Sequence, residues 1–179
     1  MTRSAATLAT GFATLVPTAN VNVAKTRIAN AFVAYFSEAV VAGSQANSVA
    51  LGGAPKTAMV AAMTELNTSG GAAAAIAAGI VAFWGGLSGI EASVWDDVPL
   101  WLRLIPGSIV PPDGNVDLVE ALEGAFATCQ ATKPSLEDAS IIIADAIHGT
   151  QAGGTVQGMP MSDIIVDPIT YVIDMLTDS

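Results

Sequence analysis

The sequence predicts an all-α fold, a compact bundle of about five to seven helices with a long connection containing proline and tryptophan. Three observations predict it. Apolar residues recur at helical spacing in several segments. Apolar residues make up 52% of the chain, much of that is alanine, and only 12% of residues are charged, a balance that favours helices and protein contact over disorder. Glycine, proline and capping residues fall where the periodic segments begin and end. At 179 residues the chain suits one domain. It divides into a helical domain over residues 1–156 and an acidic C-terminal extension over residues 157–179.

Residues 3–16 read as a short helix with Leu8, Phe12, Leu15 and Val16 on one side, stopped by Pro17. Residues 22–42 form the clearest amphipathic helix: Ile28, Phe32, Tyr35, Phe36 and Val40 follow its spacing, Asn22 caps its start and Gly43 ends it. "GSQANSVALGGAP" reads as a loop, and Pro55 then opens a third helix with Met59, Ala62, Met63 and Leu66 as its stripe. The fourth helix, residues 72–84, lies between paired glycines in "GGAAAAIAAGIVAFWGG", and it is expected to pack on residues 22–42. Residues 91–115 hold four prolines, Trp95 and Trp101, and read as irregular, with a short strand or helical turn near Leu100–Ile105. Residues 117–130 form a helix with Asp117 as cap and Leu118, Ala121, Leu122, Ala125, Phe126 and Cys129 as its stripe. In "KPSLED", Ser135 caps the next helix and Asp138 stands at its third position; Leu136, Ile143 and Ile147 continue it to Gly149. "GTQAGGTVQGMP" reads as a flexible linker. Asp167 and Pro168 open a final short helix, with "YVI" admitting a strand instead.

The uncharged run from Asn67 to Ile90 raises the question of a membrane span, here a holin-like one using residues 67–90. Thirteen helical residues reach only about 20 Å, whereas a hydrocarbon core is about 30 Å thick. Alanine contributes little transfer energy, and the flanking charges are Glu65 and Glu91 with no basic cluster. The better reading is a buried helix approached closely by others, with Ala75 and Gly79 as a small-residue pair and Phe83 and Trp84 as bulky anchors.

Charge is unevenly placed. Residues 1–90 carry four cations (Arg3, Lys25, Arg27, Lys56) against Glu38 and Glu65, whereas residues 91–179 carry Arg103 and Lys133 against fourteen carboxylates. An acidic half repels phosphate, which argues against direct nucleic-acid binding. The nearly uncharged half is expected to face other protein. "MTRSAATLATGFATLVPT" lacks the apolar core and cleavage site of a signal peptide.

No catalytic, cofactor or metal signature emerges. Cys129, the sole cysteine, lies on an apolar stripe and reads as a core residue rather than the partner of His148 in a nucleophile–base pair. His148, at a helix C-terminus, reads as meeting the last carbonyls and the dipole. Asp163, Asp167, Asp174 and Asp178 would share one helical face, but Pro168 interrupts it, and they read as solvated. "GGAP" before a helix lacks the rest of a phosphate loop. The interface candidates are Phe83, Trp84, Trp95, Trp101 and Gly79; for the two loop tryptophans an interface anchor and a loop folded over its own core stand as equals.

"AFVAYFSEAV", "AMVAAMTEL", "AAGIVAFWGG", "ALEGAFATC" and "SLEDASIIIADAIHGTQAGGT", in that order over residues 20–156, resemble a loose group of small Ala-rich virion structural proteins of tailed bacteriophages. The resemblance implies a structural part of tail, neck, baseplate or capsid, without catalysis. It implies other virion proteins and copies of itself as partners, and the virion, assembled in the host cytoplasm, as its location.

Overall fold

The computed structural model describes residues 3–14, 20–66, 70–99, 102–161 and 167–173. The chain opens with α1 (Ala5–Ala13), whose N-cap Ser4 accepts from the Ala6 N–H. Leu8 and Phe12 are buried as the periodicity predicts, while Leu15, Val16 and Pro17 lie outside the described residues. α2 (Val21–Phe36) is capped by Asn20, whose side chain accepts from the Asn22 and Val23 N–H groups; Asn22 is thus inside the helix and not its cap.

The helix expected to run to residue 42 stops at Phe36. Val40, expected on its stripe, lies in β1 (Val40–Val41), which pairs with β2 (Ser44–Gln45) in an antiparallel hairpin. Ala42 (φ 49°) and Gly43 (φ 81°) form the two-residue turn, and positive φ at both centres is what a tight hairpin turn with the right twist requires. Gly43 therefore turns a hairpin instead of ending a helix. The loop expected after it contains β2 and the single turn α3 (Ser48–Leu51), whose first N–H groups are capped by Asn47.

α4 (Ala54–Ala62) has Pro55 in its first turn, where a missing N–H costs nothing. It turns back into α5 (Ala72–Leu87), which runs through Gly85 and Gly86 instead of ending before them. The reason is packing. A Cβ at Gly86 would stand 2.7 Å from Pro55 Cα, and one at Gly79 would stand 2.7 Å from Met63 Cγ. The two glycines let α5 lie against α4 along its length, and those contacts offset the weak helix propensity of glycine. With α2, α5 meets through aromatic rings: Phe83 lies 5.0 Å from Phe32 and 5.2 Å from Phe36, centroid to centroid.

The irregular stretch holds α6 (Glu91–Val94), the strand β3 (Leu102–Leu104) and a 3-10 turn over Asp113–Val116. α7 (Leu118–Thr132) follows. Asp117 stands at its N-cap position but accepts no N–H there, because its backbone is already helical (φ −95°, ψ −3°). α8 (Leu136–Thr150) begins as expected: the Asp138 N–H donates to Ser135 Oγ at 3.1 Å, and that hydroxyl donates to the Asp138 carboxylate at 2.7 Å. Leu136, expected on the buried stripe, is 58% exposed, whereas Ala144 and Ile147 are buried.

Between α7 and α8, Lys133 adopts the left-handed conformation (φ 47°) and is solvent-exposed. A non-glycine residue there costs roughly 1–2 kcal/mol, partly offset because glycine loses more chain entropy, about 0.5–1 kcal/mol. Lys133→Gly is therefore expected to stabilise the fold by about 0.5 kcal/mol. A thermal midpoint about 1–2 °C higher checks this; a fall in midpoint contradicts it.

The protein is helix-rich, with two small antiparallel sheets, and so is not purely all-α. Among the described residues six helices have nine residues or more. The expected Gly-rich linker instead contains β4 (Thr155–Pro160), the middle strand of a sheet in the order β3-β4-β5, with β5 (Ile169–Val172) where "YVI" admitted a strand and not the helix expected after Pro168. Leu102 pairs with Pro160, and Thr155 pairs with Val172. The expected domain boundary after residue 156 falls inside β4. Val156 and Ile173, at 0% and 1% exposure, belong to the same core as α1, α2 and α5. Pairing to two neighbours and burial of one face override the flexible composition of this segment.

Candidate functional site

The interior is organised by an aromatic cluster contributed by two helices. α2 supplies Phe32, Tyr35 and Phe36 at the i, i+3 and i+4 spacing, and α5 supplies the adjacent Phe83 and Trp84. Phe36 meets Trp84 edge to face, with centroids 5.0 Å apart. Both polar handles of the cluster are held. The Tyr35 hydroxyl lies 2.9 Å from His148 Nδ1 at the end of α8. Trp84 Nε1 donates to Gln151 Oε1 at 2.8 Å, and Gln151 Nε2 donates in turn to Asn115 Oδ1 at 2.8 Å. Gln151 is fully buried. A chain of bonds thus ties α2 and α5 to the end of α8 and to the 3-10 turn.

Arg3 enters this cluster from the N-terminal end. It is 4% exposed, and its guanidinium carbon lies 5.1 Å from the Phe36 centroid and 5.6 Å from those of Tyr35 and Trp84. The neighbouring backbone is fixed by Glu38, whose carboxylate accepts from the Ser4 N–H at 2.8 Å and from the Thr7 hydroxyl at 2.5 Å. That carboxylate also faces the positive end of α1.

The structure places the interface candidates as follows. Phe83 (0%), Trp84 (2%) and Trp95 (3%) are buried inside this chain, so none is a surface anchor. Gly79 faces Met59 of α4 and Met63 just past its end, and likewise serves internal packing. Trp95 is held by a β-bridge to Ala46, and beside it the Asp96 N–H donates to the Gln45 carbonyl at 2.9 Å; this part of the loop folds over its own core. Trp101 lies outside the described residues. Glu91, expected as a flanking charge, is 1% exposed and accepts from the Gly107 N–H at 2.6 Å.

Cys129 is half-buried and lines a groove of about 490 Å³ with Gly70, Ala73, Glu123 and Phe126, while His148 is engaged by Tyr35; the two have different neighbours. Of the four C-terminal aspartates, Asp167 is exposed and the others lie outside the described residues. Among the described residues no cluster of His, Cys, Asp or Glu could hold a metal ion. Burial raises the Tyr171 phenol above its ordinary value.

The surface has two characters. α7 and α8 turn Glu120, Glu123, Glu137, Asp138 and Asp145 outward. α5 turns out Ala74, Ala78, Val81 and Gly85, one line along the helix, and no residue from Ala72 to Leu87 is charged. Among the described residues no helix is long and apolar enough to cross a membrane.

Arg3 and Gln151 are among the buried residues that sequence reading misses: one counts there as a single cation among six, the other sits in an apparent linker. No local signal marks either, because their burial depends on segments far away in the chain. Comparison with protein-family models, curated proteins and solved structures finds no match.

Proposed function

We propose that this chain is a structural subunit of a tailed-phage particle, acting through contacts with copies of itself or neighbouring virion proteins and not through catalysis. The observation that carries the reading is the outward face of α5. A helix that is apolar all round is ordinarily buried, yet here Ala74, Ala78, Val81 (47% exposed) and Gly85 face outward. Another protein surface laid over that line would complete the burial. The acidic outer faces of α7 and α8 suit the opposite role, since like charges on neighbouring copies repel and favour solvent.

Mass spectrometry of purified particles tests the role: the chain should be present in stoichiometric amount, and its absence overturns the proposal. The contact face is tested by Ala78→Glu. Ala78 is exposed, so the isolated variant should keep its thermal midpoint within about 1–2 °C of wild type. Incorporation into particles should fall at least about tenfold, the effect of roughly 1.4 kcal/mol at the interface. Incorporation at the wild-type level removes α5 from the contact.

A further inference from the structure

The Arg3 site has the construction of a ligand site. Three rings surround one guanidinium, each within the distance at which an aromatic face attracts a cation: Phe36 at 5.1 Å, Tyr35 and Trp84 at 5.6 Å. Contacts that do not involve Arg3 fix each ring. His148 holds the Tyr35 hydroxyl, Gln151 holds the Trp84 indole and is itself held by Asn115, and Phe36 is wedged between Phe83 and Trp84. The rings are therefore preorganised for a cation, as a binding site requires. Guanidinium suits the enclosure better than ammonium, because it is planar, stacks on aromatic faces and is more weakly hydrated.

We propose that Tyr35, Phe36 and Trp84 form a binding site for a guanidinium cation, filled in this state by Arg3 as the chain's own ligand, and that a guanidinium group from outside takes the site when the Arg3 side chain is removed. The full-length Arg3→Ala variant tests it, with methylguanidinium as the probe. The thermal midpoint of the variant should fall by several degrees and then rise by about 3 °C as methylguanidinium is raised to about 20 mM. Wild type, whose cage is full, should show no rise, and methylammonium at matched ionic strength should restore neither protein. An equal response of variant and wild type to methylguanidinium, or a variant as stable as wild type without it, overturns the proposal. If Arg3→Ala does not fold, Arg3→Met and Arg3→Lys decide. Methionine fills the space without charge, so a midpoint equal to wild type overturns the proposal. A lowered midpoint for methionine, with lysine intermediate, supports it.

Discussion

Phe83→Ala is expected to lower folding stability by about 3–5 kcal/mol, the cost of emptying a buried aromatic site that cannot collapse. Phe83 is fully buried, and its ring lies against both Phe32 and Phe36. With the Phe36–Trp84 contact it joins α5 to α2, so the cavity would open at the seam between the two helices. Domains of ordinary stability have about 5–15 kcal/mol in total, so about a fifth of the margin or more would go. Urea unfolding of the isolated chain measures it. The same experiment separates a core role from an interface role: an anchor for a partner would leave the isolated chain's unfolding midpoint unchanged and weaken assembly alone.

Gly79→Leu is expected to cost about 3 kcal/mol or more, while Ala78→Ser, one residue away, should stay within about 0.5 kcal/mol. A Cβ at position 79 would stand 2.7 Å from Met63 Cγ, 3.2 Å from the Met59 carbonyl oxygen and 3.3 Å from Met59 Cγ. The methionine side chains can move, but the carbonyl belongs to the α4 backbone, so the leucine must push the helices apart. The side chain of Ala78 is exposed and meets no such wall. Thermal midpoints of the two variants check the pair. A Gly79→Leu midpoint equal to that of wild type would mean that α4 does not lie against α5 as described.

Much of the helical layout was legible because it rests on local chemistry. The capping of α8 by Ser135 and Asp138, Pro55 in the first turn of α4, and the burial of Phe32, Phe36, Met59 and Leu122 follow from residues a few positions apart. The errors share a cause. Val40 continues the helical spacing of α2, yet the Ala42–Gly43 turn and the pairing of Val41 with Ser44 take it into a hairpin. Thr155–Pro160 has the composition of a linker, yet β3 and β5 pair with it on either side. In each case a partner outside the segment outweighed the preference within it.

The sequence by itself determined which segments form the main helices, where several of them start, and that charge is concentrated in the second half of the chain. Spacing, caps and charge are properties of neighbours along the chain, and they carry their meaning without a fold. Only the tertiary structure decided that Trp84 and Trp95 lie inside, that the last strands close the same core, and that Arg3 sits among aromatic rings contributed by residues 35, 36 and 84. Such placements depend on segments tens of residues apart. A tryptophan or an arginine has the same local preferences inside as at the surface; what differs is whether distant rings, carbonyls and amides arrive to enclose it.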